Sequence, residues 1–586
     1  MTDAVSAAGG DPTPEPEASP LKARSLGRNT AIMASGTLVS RILGFVRNGM
    51  LVAAIGVTAG VANSYDVANK LPNALYAVLA AGVINAALVP QIVKAFQRPG
   101  GKRTVDRILT VGTVISLGLT VVLTVAAPLL VLIYTPANWP PELMTLAIAF
   151  AFWCIPQLFF YAIYTLFGQV LNAKEQFGPY MWAPVLNNVI GIVGLAIYLV
   201  VFGPISAEVN SVTGDALTGD ALTEVWTSGR IALVAGVATL GIAAQALILI
   251  WPMVRGGYRF RWVWRGPKGE LAGVRNVISW ALAAVVIEQV GVLWATRVAA
   301  SAPIAAATAA GSDTIDRAIA GNAAYFQGLL IYLVPHSLIT VSIVTALTTS
   351  MSRLWVARDM AGLRAEVSRG LRTIGVFTVI AATFMIVLAP SLVRIVNPTA
   401  LPVEVTSVAW VLIGFSLGLV PLGAMVLMKR VYFIFEDAKS IFFIHIPMTL
   451  ALIGVTLAAR EFLDPEWWVF GVALGLSVSN LVGVLLRSRG LRSRLGGMDG
   501  RRVLGTYSKA LAGAIPAGLA GWALTLALPN PVDMVGLDGF TAGVINVIAG
   551  GTVMVIIYGV VLWALRAPEF SQLVSPVTRR ITRRVR

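Results

Sequence analysis

Long apolar runs follow one another from about residue 30 to residue 565, separated by short polar connectors. A helix that spans a bilayer needs roughly 18 or more consecutive, mostly apolar residues. Fourteen runs meet that length, the first over about 30–56, the second over 62–96, the seventh over 272–300 and the eighth over 318–350. The strands of a membrane barrel would give shorter, alternating segments. The pattern predicts an all-α polytopic membrane protein with 14 transmembrane helices.

The connectors test that count. Basic residues favour the cytoplasmic side of a membrane protein. Lys22, Arg24 and Arg28 precede span one, and Arg98, Lys102, Arg103 and Arg107 follow span two. Arg255, Arg259, Arg261, Arg265, Lys268 and Arg275 follow span six, and Arg487, Arg489, Arg492 and Arg494 follow span twelve. The alternate connectors are neutral or acidic, with Glu142, Glu208, Asp215, Asp313, Glu404, Asp464 and Asp533 among them. Strict alternation places both termini in the cytoplasm. A miscount by one span would break the alternation everywhere downstream.

Composition agrees. Of 586 residues 57% are apolar and 12% charged, with a mean hydropathy of +0.80. Soluble domains carry about 25% charged residues. The net charge of +16 sits in the connectors, where it faces anionic membrane lipid and excludes nucleic acid as the partner. The single cysteine, Cys154, lies in an apolar run, so neither an internal disulfide nor a Cys-based metal site can form. Residues 1–28 are rich in Pro, Ala and acid before their first basic residues and read as a disordered cytoplasmic tail. There is no P-loop and no His/Cys/carboxylate cluster with metal-ligand spacing. Nothing argues for an enzyme or a bound cofactor.

Spans one to six and seven to twelve form two blocks of similar length, each ending in a basic connector. The second span of each block carries a proline, Pro72 in KLPN and Pro335 in LVPH. Paired, proline-interrupted segments mark the central site of many transporters. The expected division is an N-terminal lobe over 29–256 and a C-terminal lobe over 257–503. Two added helices over 504–566 and a basic cytoplasmic tail over 567–586 complete it.

Charge at membrane depth is costly and tends to be functional. Span one holds Arg41 and Arg47. Their spacing turns them about 120° apart and about 9 Å along the axis, so both can reach one broad cavity or snorkel to an interface. Span two holds Asp66 and Lys70 in NSYDVANKLPN, one turn apart on one face. They read as a cavity wall or as a neutralised structural pair. Span seven holds Glu288 and Arg297. Glu288 can carry a proton or pair with Lys70, Arg41 or Arg47, and Arg297 can line the cavity or snorkel. His336 follows Pro335. The set leans cationic and suits an anionic headgroup, with phosphate or pyrophosphate as the expected ligand.

TLVSRILGFVRN and then ANKLPNALYAVLAAGVINAALVPQIVKAF resemble the opening of the MurJ (MviN) family of lipid II flippases. That family belongs to the multidrug/oligosaccharidyl-lipid/polysaccharide exporter superfamily. PQLFFYAIYTLFGQVLNAKEQFGPYMWAPVLNNVI and KRVYFIFEDAKS resemble later motifs of the family, in its actinobacterial form. The resemblance implies two six-helix lobes around a central cavity plus two C-terminal helices with a lipid-facing groove. It implies movement of undecaprenyl-pyrophosphate-linked peptidoglycan precursor (lipid II) across a bacterial cytoplasmic membrane by alternating access. A proton, sodium or the membrane potential would drive it, and membrane lipids and cell-wall synthesis proteins would be its neighbours. The family's two span-one arginines match Arg41 and Arg47. Its span-two acid aligns with Asn63, and its PN pair with Pro72 and Asn73. The substrate-binding set implied is Arg41, Arg47, Asn63, Asp66, Lys70, Asn73, Glu288 and Arg297. Asn48, Tyr76, Ala77 and Leu330 stand where family members carry charge. The alternatives are the same fold exporting another polyprenyl-linked glycan or a drug, or a scaffold in cell-wall assembly.

Overall fold

The computed structural model describes residues 20–79, 101–174, 176–204, 225–264, 275–312, 316–567 and 569. Among these residues the structure is helical throughout, with no strand. The first half runs α1 (Pro20–Ile55), α2 (Gly60–Leu79), α3 (Lys102–Val125), α4 (Ala127–Tyr134), α5 (Pro141–Cys154), α6 (Gln157–Ala173) and α7 (Phe177–Phe202). It closes with α8 (Ser228–Ile231), a π-helical turn at Ala232–Gly236, α9 (Val237–Leu247) and α10 (Ile250–Arg255). The second half opens with α11 (Arg275–Ala309), α12 (Asn322–Pro335), a π-helical turn at His336–Thr340 and α13 (Val341–Val356). It continues with α14 (Met360–Val387), α15 (Ala389–Val396), α16 (Pro402–Ser416), α17 (Leu419–Ile434), α18 (Ala438–Phe462) and α19 (Trp468–Arg494). Last come α20 (Gly500–Ala527) and α21 (Gly536–Ala564).

Twelve of these helices, taken across their small breaks, are long and apolar enough to cross a membrane. The pair α16–α17, bent by 45°, makes a thirteenth. Among the described residues twelve or thirteen of the 14 expected spans are therefore present; α2, whose 20 residues cover the start of the expected span 62–96, is not among them, and residues 80–96 lie outside the described residues. Several spans are broken where the sequence places a helix-breaker. Pro156 separates α5 from α6, and Gly418 separates α16 from α17. The backbone after Pro335 widens into a π-helical turn, since proline removes one amide donor from the ladder.

Two expectations change. Residues 20–28 belong to α1 rather than to a disordered tail. Pro20 fits the first helical position, and the Leu, Lys, Ala and Arg that follow favour helix. The rest of that expected tail lies outside the described residues. The C-terminal helical pair begins at Gly500 instead of 504, directly after Asp499, whose positive φ of 48° reverses the chain. The basic tail from 570 onward lies outside the described residues.

The buried apolar residues sort by half. Phe150, Cys154, Ile155 and Tyr198 pack with other residues of α1 to α9, and Leu109, Leu158, Leu166 and Met253 form a second cluster of that half. Val408, Leu412, Phe415 and Val472 centre one cluster of the second half, and Leu371, Leu427, Met428 and Leu491 another. The helices α20 and α21 pack on α14 through Ala510, Ala514, Met554 and Val379. Val52 and Val57 from the first half join a cluster of the second, while Ile304 and Ala323 do the reverse. The two halves therefore meet through α1, α2, α11 and α12.

Candidate interlobe site

The turn between α1 and α2 lies at the acidic end of the molecule, with the acidic connector that carries Glu404; the opposite end carries the basic connectors. Polar side chains concentrate along the seam between the two halves, in three layers.

At the acidic end the halves are tied by an ion pair and its neighbours. Glu404 starts α16 and is fully buried. Its Oε1 accepts Arg317 Nη2 at 2.7 Å and Arg317 Nε at 3.0 Å, and also the Thr58 hydroxyl at 3.1 Å. Its Oε2 accepts the Leu401 amide at 2.8 Å. Thr58 comes from the α1–α2 turn, so this carboxylate spans the seam. Every buried oxygen of Glu404 has a donor, which a desolvated carboxylate requires.

One turn deeper lies the pair that the sequence singled out. Asp66 and Lys70 approach to 2.9 Å, both largely buried. Neither stands alone. Asn322, the first residue of α12, donates from Nδ2 to Asp66 Oδ2 at 2.5 Å and accepts from Lys70 Nζ on its own Oδ1. The ring of Tyr325 lies 5.0 Å from the ammonium, a cation–π distance. Asn63 accepts the Ala323 amide at 2.9 Å. Gly321 makes this docking possible, since a Cβ there would collide with the Asn63 amide. A neutral amide placed between an acid and a base serves both, donating to one and accepting from the other.

Below this clasp a cavity opens with about 130 Å³ of water-accessible space. Arg47, Tyr65, Asp66, Gln157, Tyr161 and Gln327 are among its lining residues. The Arg47 stem crosses α7 at Gly191, where any larger residue would strike it. The guanidinium Nη1 donates to Asn187 Oδ1 at 3.3 Å, and Asn187 in turn donates to Gln245 Oε1 at 3.1 Å. Asn48, buried at the edge of the cavity, donates to Gln327 Oε1 at 2.8 Å and to Asn397 Oδ1 at 3.5 Å. The cavity thus joins one fixed cation, one carboxylate and a ring of amides and phenols. Such a lining has donors for an oxyanion and no net charge of its own.

The other expected residues are placed elsewhere. Arg41 lies towards the basic end and donates to the Ser337 hydroxyl at 2.5 Å, so it crosses the seam without lining this cavity. Asn73 is exposed and bonds its own helix at the Asn69 carbonyl. Arg297 donates to the Ile133 carbonyl of α4 at 3.3 Å. Glu288 is half exposed and stands 4.0 Å from His445 Nδ1; among the described residues no ion pair joins it to Lys70, Arg41 or Arg47. Asn322, Asn187, Gln327, Asn397, Tyr65, Tyr161 and Arg317 were not singled out from the sequence. Amides inside otherwise apolar runs were the available signal for Asn187 and Gln327, because a membrane helix carries a buried amide only where it finds a partner.

Comparison with known proteins gives a consistent result. The family model for the lipid II flippase MurJ matches residues 51–531. A probable lipid II flippase MurJ of Rhizobium meliloti (strain 1021) is 24% identical over 483 residues, covering 79% of this chain and 80% of the relative. A probable lipid II flippase MurJ of Synechocystis sp. is 23% identical over 570 residues, covering 93% and 96%. Among solved structures, a lipid II flippase MurJ in an inward closed conformation is similar with a TM-score of 0.65 at 18% identity. It covers 91% of this chain and 99% of its own. An inward-facing multidrug resistance MATE transporter of the MOP superfamily is similar with a TM-score of 0.54 at 16% identity, over 78% and 99%. The chain belongs to the lipid II flippase MurJ family.

Proposed function

We propose that this protein moves lipid II across the bacterial cytoplasmic membrane, with the basic end and both termini in the cytoplasm, and that it works as a carrier and not as an enzyme. The observation that carries the reading is the cavity between the halves, with Arg47 in its lining and the Asp66–Lys70–Asn322 clasp closing it at the acidic end. Arg47 offers the fork geometry that pyrophosphate oxygens accept. The cavity of about 130 Å³ is too small for a glycopeptide headgroup. Binding therefore requires a wider cavity reached by parting the halves at the basic end, where Arg41 and Ser337 meet. Release requires the acidic-end clasp to open, which is alternating access. The polyprenyl tail is assigned to the lipid-facing side of α20 and α21. A proton, sodium or the membrane potential supplies the drive.

The test is lipid II sidedness in the host. The chromosomal copy is depleted while Arg47→Ala is expressed, and lipid II reachable by a membrane-impermeant probe is measured. The expected result is accumulation of lipid II that the probe cannot reach, with growth support lost. Normal exposure from a stably expressed Arg47→Ala protein would remove Arg47 from the substrate site. Normal exposure after full depletion, with no other flippase present, would assign another cargo or a scaffolding role.

A further inference from the structure

A second charged group assembles within the C-terminal half, apart from the interlobe cavity. Four helices contribute: Glu288 from α11, Lys429 from α17, His445 from α18 and Arg487 from α19. The Arg487 side chain is fully buried. Its Nη1 rests 3.3 Å from the Met448 sulfur, a weak acceptor, while Nε and Nη2 have no partner among the described residues. Gly483, one turn earlier, makes room for it; a Cβ there would lie 2.7 Å from both Nη1 and the Met448 sulfur. Lys429 lies within Coulombic reach of both Glu288 and Arg487. His445 Nδ1 faces the Ala284 carbonyl at 3.2 Å and the Glu288 carboxylate at 4.0 Å.

A guanidinium and a lysine here face one carboxylate, and that carboxylate is 54% exposed. A guanidinium cannot shed its proton, so burial without a counter-ion is strongly unfavourable. The excess positive charge rules out a metal cation and calls for an anion. Two adjacent free N–H donors in a planar fork match an oxyanion. Arg487 lies seven residues before the end of α19 at Arg494, about 10 Å along the axis, which is within reach of the headgroup layer at the basic end. We infer that Arg487, flanked by Lys429 and His445, forms a binding site for a phosphate-class anion, supplied either by a membrane lipid headgroup or as free phosphate. This site does not depend on pyrophosphate handling by Arg47.

The test uses the purified full-length protein in a neutral detergent. Tm is followed while phosphate replaces gluconate at constant ionic strength, and in parallel while a short-chain phosphatidylglycerol replaces the matching phosphatidylcholine. The expected result is a saturable rise in Tm. Saturation by phosphatidylglycerol at the lower concentration identifies the lipid as the source, and the reverse order identifies the free ion. Arg487→Met abolishes the rise and, in gluconate and phosphatidylcholine alone, leaves Tm unchanged or higher because an unpaired buried charge has gone. Arg487→Lys keeps the charge, loses the fork and weakens binding by roughly tenfold. Glu288→Gln removes a competitor for the same donors and tightens binding by roughly tenfold. No saturable rise with either anion, or an undiminished rise in Arg487→Met, overturns the inference. A Tm several degrees lower for Arg487→Met in gluconate also overturns it, since the guanidinium would then be satisfied within the chain.

Discussion

Replacing Asn322 by Ala should loosen the acidic end without touching either charge of the pair it serves. Asn322 donates to Asp66 and accepts from Lys70, and both groups sit on α2 while Asn322 sits on α12. Hydrogen bonds to charged groups contribute about 1.5–3 kcal/mol each. The two together set a gross loss of about 3–6 kcal/mol. Asp66 and Lys70, 2.9 Å apart in the parent, are expected to stay paired in the mutant, with water entering the space left. A net loss of about 2–3 kcal/mol is therefore the working figure. That corresponds to a shift of about 30- to 150-fold towards conformations in which the halves part at this end. Spin labels at Thr145 on α5 and Thr406 on α16 report the separation, since both positions are exposed at the acidic end. The native Cys154 is buried and stays unlabelled. Double electron–electron resonance should give one short distance in the parent and an added longer population in Asn322→Ala. Asn73→Ala is the control, because among the described residues Asn73 bonds only its own helix. The reasoning is refuted if Asn322→Ala keeps the parent distribution, or if Asn73→Ala shifts it equally.

Other consequences follow from the same geometry. Arg317→Ala leaves Glu404 buried with the Thr58 hydroxyl and the Leu401 amide alone; thermal unfolding should show a loss of about 3–5 kcal/mol, and Arg317→Met with Glu404→Leu should recover much of it. Asp437, between α17 and α18, caps α18 by accepting the Ser440 amide at 2.9 Å and pairs with Arg494. Partial burial pushes its carboxyl up, but the Ser440 hydroxyl and amide and the Arg494 guanidinium outweigh burial and hold it below the usual carboxylate range. Because the folded value is depressed, this contribution is present above the ordinary carboxyl pKa and fades as pH falls through the lower folded value. Asp437→Ala should cost about 1 kcal/mol at neutral pH, and the difference from the parent in Tm should shrink on acidification into that low range.

Asp66 and Lys70 show how far the amino-acid order reaches. Their four-residue spacing places both on one face of α2, and the structure pairs them. Arg47 was legible as a cation inside an apolar run, facing a cavity or snorkelling, and it lines the cavity. Glu288 was legible only as a carboxylate in an apolar run. Its neighbours were not, because His445 lies on α18, 157 residues further along the chain. Asn322 carries no charge and sits at a helix start, where an asparagine is unremarkable. Nothing in the order of residues links it to Asp66, 256 positions away.

The sequence by itself determined the class, the run of membrane-spanning helices and the segregation of basic connectors. Each of these follows from transfer free energies that act residue by residue, within a window no longer than one span. The tertiary structure alone decided which polar groups face one another across the seam. It placed Asn322 between Asp66 and Lys70, joined Thr58 to Glu404, and turned Glu288 towards His445 instead of the span-one arginines. Those pairings depend on how two separately packed halves dock, and a docking register is set by many weak contacts summed over the interface.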